Sequence, residues 1–140
     1  MKTVTFAVPC YNSAEYMDAC IESILKCDGG EGDVEIIVVD DGSAKDDTPA
    51  KADAWAAKHP DIIRAVHQEN GGHGEAVNTG LAHATGRYFK VVDSDDWLDE
   101  AAMREIMAYL RRQNELEEAT DLVIGNYVYE KVHEGTRTVM

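Results

Sequence analysis

Three carboxylates stand within four residues at Asp93-Ser94-Asp95-Asp96. Like charges packed so closely cost stability unless a positive charge sits among them. Oxygen-only ligands suit a hard cation such as Mg²⁺ or Mn²⁺, and Mg²⁺ commonly takes one or two carboxylates plus substrate phosphates. A solvated turn that also caps the next helix is the competing reading, but Asp99 already offers that cap. A second acidic group, Asp40-Asp41-Gly42-Ser43, closes an apolar run. A carboxylate there can accept hydrogen bonds from a base N–H or a ribose hydroxyl, while Asp-Gly alone is also common turn chemistry. Pro9-Cys10-Tyr11-Asn12 offers a ring that can stack on a base, with Asn12 read as a helix cap. The Gly-rich stretch from Asn70 to Gly74 precedes a helix N-terminus, where backbone N–H groups favour phosphate. It is neither a GxGxxG nor a Walker A loop. His73 reads as an exposed loop histidine, with phosphate contact as the alternative.

The elements that must carry these residues follow from two alternating periodicities. Thr3 to Val8 is a short β-rich run. Asn12-Ser13 with Glu15 predicts a capping box, followed by a helix with Met17, Cys20, Ile21, Ile24 and Leu25 on one face and Gly29-Gly30 as its stop. Val34 to Val39 reads as a fully buried strand. Thr48-Pro49 starts a second helix with Ala52, Trp55 and Ala56 inward, ending by Pro60. Ile62 to Val66, Tyr88 to Val92 and Leu122 to Tyr129 are the third, fourth and fifth strands. Between them lie a short helix with Ala76, Val77, Gly80, Leu81 and Ala84, and a longer one with Met103, Ile106, Met107 and Leu110. This alternation implies an α/β, doubly wound, mainly parallel sheet with flanking helices. In such sheets ligands bind beyond the carboxyl ends of the strands, where the four polar or acidic groups fall.

Composition narrows the function. The 140 residues suffice for one domain with a core. Asp plus Glu number 27 against 13 Lys plus Arg, a formal charge of −14, which repels phosphate backbones and argues against nucleic acid. A nucleotide ligand is still compatible, because a divalent cation reverses the sign locally. No apolar run reaches the length of a membrane span, and the N-terminus carries no signal-peptide pattern. The three cysteines, Cys10, Cys20 and Cys27, form no CxxC pair and fit a reducing cytoplasm.

Taken in order, Pro9-x-Tyr11-Asn12, Val38-Val39-Asp40-Asp41-Gly42-Ser43, Asn70-x-Gly72 with Asn78-x-Gly80, and Asp93-x-Asp95-Asp96 resemble the family-2 inverting glycosyltransferases of GT-A fold, from about Met1 to Tyr129. The resemblance implies that Pro9, Tyr11, Asp40, Asp41, Gly72 and Asp93 hold the nucleoside, with Asp41 the foremost base contact. It implies that Asp95, with Asp93, coordinates Mn²⁺ or Mg²⁺ bridging the diphosphate of a nucleoside-diphosphate sugar, a UDP-sugar before a GDP- or dTDP-sugar. The acceptor would be an unknown saccharide or a lipid-linked one, and the place of work the cytoplasm or, in a full-length protein, the inner face of the membrane.

Two departures stand out. Ala76-Val77-Asn78 replaces the Ala-Arg-Asn of many members, removing one phosphate contact. The family's catalytic base and acceptor-binding elements follow the fifth strand, and Glu130 and Glu134 stand too close to it to serve as that base. Residues 1–140 are therefore expected to be a single, C-terminally truncated nucleotide-sugar-binding domain, with the acceptor-binding part missing and no transfer by itself. A binding module without turnover is the main rival. A phosphoacceptor receiver domain would carry its acidic pair after the first strand, and a sugar-nucleotide pyrophosphorylase a basic Gly-rich loop there; neither fits.

Overall fold

In the computed structural model of the chain, residues 2–28, 32–115, 128–131 and 137–139 are described. The elements run β1 (Val4–Cys10), α1 (Met17–Asp28), β2 (Val34–Asp41), α2 (Thr48–Lys58), β3 (Ile63–Gln68), α3 (His73–His83), β4 (Tyr88–Val91), β5 (Asp96–Leu98), α4 (Glu100–Glu115), β6 (Val128–Lys131) and β7 (Arg137–Val139). The first four strands form a parallel sheet in the order β3-β2-β1-β4. The β-branched run of β2 is buried at every position, as its central place requires.

Helices cover both faces. Phe6, Val8 and Cys10 of β1 and Ile36 and Val38 of β2 face the core side that also holds Met17, Ile21 and Ile24 of α1 and Met103, Met107 and Leu110 of α4. On the other face Ile37 and Val39 meet Ala76 of α3. The approach of α3 is close. A Cβ at Gly80 would stand 2.7 Å from the Ala7 Cβ, so glycine there lets helix and strand touch.

The first four strands and the second, third and fourth helices follow the sequence pattern, and Asp99 caps α4 by accepting the Ala101 N–H at 3.0 Å. Two expectations change. The capping box at Asn12 and Glu15 gives way to a turn in which the Ser13 carbonyl accepts the Tyr16 and Met17 N–H groups. Asn12 adopts φ 51° and spends its polar groups elsewhere: its N–H donates to Ser43 Oγ at 2.8 Å, and its Oδ1 accepts the Lys45 N–H at 3.2 Å. The run expected as a fifth strand of the main sheet supplies β6 instead, which pairs antiparallel with β5 in a separate sheet of order β5-β6-β7. Its first residues, 122–127, and the Gly29-Gly30 stop lie outside the described residues, as does Glu134.

Candidate functional site

The parallel register brings the chemistry to one edge. Cys10 pairs with Asp40 and Asp40 with His67, so β1, β2 and β3 end side by side. β4 pairs through Ala7↔Val91, and the Val92 N–H donates to the Ala7 carbonyl at 2.9 Å, which delivers Asp93 next to the end of β1. Two adjoining cavities of about 340 Å³ each form a groove over this edge. One is lined by Pro9, Cys10, Tyr11, Asp41, Asn70, Gly72, His73 and Ala76. The other is lined by Pro9, Tyr11, Asn12, Ser13, Tyr16, His73, Asp93, Ser94 and Asp95. Pro9, Tyr11 and His73 belong to both, and the exposed Tyr11 ring stands between the two halves.

In the first half Asp41 organises the Gly-rich loop. Its Oδ1 accepts Gln68 Nε2 and the Gly71 N–H, both at 2.9 Å. Its Oδ2 accepts the Gly72 N–H at 3.0 Å and Asn70 Nδ2 at 3.3 Å. Burial pushes the Asp41 carboxyl up, but the bonds from Gln68, Gly71 and Gly72 outweigh it and hold the pKa below the ordinary aspartate range. The turn beneath requires glycine: Gly42 sits at φ 73°, and a Cβ there would meet the Asn70 nitrogen at 2.6 Å.

In the second half Asp93, Asp95 and Asp96 each present a carboxylate oxygen, all within 4.8 Å of one another. Asp96 is buried and the other two half-buried. This set fits a hard, oxygen-loving cation. Helix α1 and the turn before it hold this segment: Cys20 Sγ donates to the Asp93 carbonyl at 3.5 Å, Ser94 Oγ donates to Ser13 Oγ at 2.7 Å, and the N–H of Leu98 in β5 donates to Ser23 Oγ at 3.0 Å.

Of the residues singled out in the sequence, Pro9, Tyr11, Asp41, Gly72, Asp93 and Asp95 line the groove. Asp40 does not. It is buried, its Oδ1 accepts the Ser43 N–H at 3.0 Å, and its Oδ2 stands 2.8 Å from His67 Nδ1. Its place is under the turn, outside the lining of both cavities.

Three further residues bear on the site: Asp96 and His73, both noted in the sequence, and Lys90, which the sequence did not single out. Asp96 joins the acidic cluster. His73 opens α3 with its Nε2 2.8 Å from Asp93 Oδ1, and so links the Gly-rich loop to the acidic turn. Its position at a helix start after that loop was the signal available. Lys90 lies buried in β4 beside a cavity of about 210 Å³ that also touches Asp93 and Asp96. Burial pulls its amine pKa down and Asp93 pulls it back up.

Comparison with known proteins places the chain in a family. A family model described as Glycosyl transferase family 2 matches residues 5–139. Glycosyltransferase GlyG of Streptococcus pneumoniae serotype 4 is 39% identical over 125 residues, covering 89% of this chain and 38% of GlyG. Glycosyltransferase GlyA of the same organism is 32% identical over 124 residues, covering 89% of this chain and 16% of GlyA. The chain thus spans well under half of either relative. Among solved structures, S. aureus TarS 1–349 in complex with UDP-GlcNAc superposes with a TM-score of 0.68 at 28% identity, over 81% of this chain and 32% of that one. The mannosyltransferase PcManGT from Pyrobaculum calidifontis, in complex with GDP-Man and Mn²⁺, gives 0.65 at 32% identity, over 74% and 31%.

Proposed function

This chain belongs to glycosyl transferase family 2, and from that membership we propose that residues 1–140 form a nucleotide-sugar-binding domain in which the groove holds a nucleoside-diphosphate sugar. The observation that carries the reading is the groove itself, with the Asp41-anchored loop at one end, the acidic cluster at the other and Tyr11 between. The nucleoside lies in the first half, on the Tyr11 ring and against the loop at Asn70 and Gly72. The diphosphate lies toward His73, Asp93 and Asp95. A UDP-sugar is the first donor to test and a GDP-sugar the second, since the similar structures hold UDP-GlcNAc and GDP-Man.

Asp95 and Asp93, with Asp96, would hold Mn²⁺ or Mg²⁺. When bound, that cation supplies neutralisation of the diphosphate leaving group. The residues do the remaining work. Tyr11 and the loop orient the nucleoside, and the bonds of Cys20 and Ser13 to the turn keep Asp93 and Asp95 facing the phosphates. His73 bridges the two halves.

Transfer to a saccharide or lipid-linked acceptor in the inverting manner needs a base within reach of the attacking hydroxyl. Asp93, Asp95 and Asp96 belong to the cation, Asp41 to four donors of the loop and Asp40 to His67 and Ser43. With none of these five carboxylates free to act as that base, we infer that the groove binds donor without acceptor-dependent transfer, in the cytoplasm or at the inner face of the cytoplasmic membrane.

The test is a thermal-shift screen of nucleoside diphosphates and their sugars with Mn²⁺, with Mg²⁺ and with chelator, beside a transfer assay on a mixed acceptor panel. Stabilisation that needs both nucleotide and cation, with no acceptor-dependent product, is expected. Absence of any nucleotide effect overturns the binding reading, and robust transfer overturns the second inference.

A further inference from the structure

His67 ends β3 next to the Asp40–Ser43 turn, and both its ring nitrogens meet carboxylates. Nδ1 stands 2.8 Å from Asp40 Oδ2 and Nε2 stands 2.7 Å from Asp53 Oδ1. A neutral imidazole has one N–H donor, so its other nitrogen would press a lone pair against a carboxylate oxygen. Only the imidazolium, with two donors, satisfies both contacts. β3 packs against β2 and α2, and each contributes one carboxylate to the ring, Asp40 from β2 and Asp53 from α2.

The bond to Asp40 reaches the groove in two steps. Asp40 Oδ1 accepts the Ser43 N–H, and Ser43 Oγ accepts the Asn12 N–H at 2.8 Å. Asn12 is held at φ 51°, beside Tyr11. The same turn abuts the opposite wall, where Gly42 lies against Asn70. Both walls of the nucleoside half are thus attached to a turn whose buried carboxylate takes its counter-charge from a half-exposed histidine.

We propose that His67 is a positioning residue for the donor nucleoside: as a two-proton clamp between Asp40 and Asp53 it fixes the turn that carries Tyr11 and the Asn70 wall. This rests on the donor-binding reading above. The hydrogen bonds that the ring donates to Asp40 and Asp53 raise its pKa above the ordinary value, burial opposing them less strongly. A raised folded pKa means that the stabilisation is fully present below the unfolded value, about 6.5, and fades as pH rises through the folded one. The clamp and the nucleotide affinity it supports therefore weaken on the alkaline side.

The experiment measures UDP affinity with Mn²⁺ by calorimetry from about pH 6 to about pH 9 for the wild type, His67→Gln and Asp53→Asn, beside nitrogen NMR of the histidine ring. Titration of the UDP phosphate cancels in the ratio of the two proteins. His67→Gln should bind about tenfold more weakly at the acidic end, with the ratio closing toward one at the alkaline end. Asp53 is exposed, so its replacement leaves folding intact; Asp53→Asn should move both the ring titration and the affinity profile to lower pH. The ring should carry protons on both nitrogens at neutral pH. Equal affinity of wild type and His67→Gln across the range, an unmoved profile in Asp53→Asn or a singly protonated ring at neutral pH overturns the inference while leaving donor binding standing. If neither UDP nor GDP binds the wild type, the donor-binding reading falls and this inference falls with it.

Discussion

Replacing Asp41 with Asn exchanges a carboxylate that accepts four hydrogen bonds for an amide that can accept on one side only. Whichever way the amide turns, its NH₂ faces two of the donors Gln68, Asn70, Gly71 and Gly72. Hydrogen bonds to a charged acceptor contribute roughly 1.5–3 kcal/mol each, so two lost bonds cost about 3–6 kcal/mol. Asp41 also lines the open groove, where water can replace part of the loss, which places the effect near 3 kcal/mol. For a chain of this size that lowers Tm by about 10 °C. The pH dependence has a definite sign. The folded carboxyl is held low, so its contribution is present above the unfolded value, about 3.9, and is lost as pH falls through the folded one. Urea unfolding of both proteins at neutral pH and down into the carboxylate range measures this. The gap should be near 3 kcal/mol at neutral pH and should close in acid. A gap under about 0.5 kcal/mol at neutral pH, or one that persists unchanged in acid, refutes the account of the loop.

Two further substitutions and reactivities follow from the packing. Gly80→Ala gains roughly 1 kcal/mol of helix propensity, but its methyl meets the Ala7 Cβ at 2.7 Å and neither can rotate away; a net loss of about 1–2 kcal/mol in urea unfolding is expected, while Gly74→Ala, with open space around it, should lose nothing. Burial pushes the Cys10 and Cys27 thiols up to about 12 and Cys20 well above its ordinary value, so a thiol reagent at mildly alkaline pH should leave all three unmodified until denaturant is added; fast labelling of the native protein would contradict this.

Much of this arrangement is written locally in the chain. The apolar run of β2 and the Thr48-Pro49 helix start need no partner to be read, and the polar groups after each strand point to one sheet edge once the winding is parallel. Asp93, Asp95 and Asp96 stand together in the sequence, and the turn in which the Asp96 N–H donates to the Asp93 carbonyl brings their carboxylate oxygens to one place. Asp40 shows why the rest is hidden. Next to Asp41 it looks equivalent, yet alternation sends the two side chains to opposite faces, and the histidine that claims Asp40 lies 27 residues away. Asn12 has the residue type of a helix cap, but Ser43 and Lys45 from a distant turn offer it better partners. The pairing of β6 with β5 instead of the main sheet depends on tertiary context that a run of apolar residues cannot declare.

The central claim is that a divalent cation held by the Asp93–Asp96 turn joins a nucleoside diphosphate to this groove. Calorimetry of UDP and GDP on the wild type and on Asp95→Asn, each with Mn²⁺ and with chelator, measures it directly. Asp95→Asn keeps the shape of the turn and removes one charge and one hard oxygen ligand. The account predicts binding of at least one nucleotide to the wild type with Mn²⁺, loss of most of that affinity in chelator, and a loss of about tenfold or more in Asp95→Asn. Equal affinity with and without Mn²⁺, or an Asp95→Asn protein that binds as the wild type does, would contradict it.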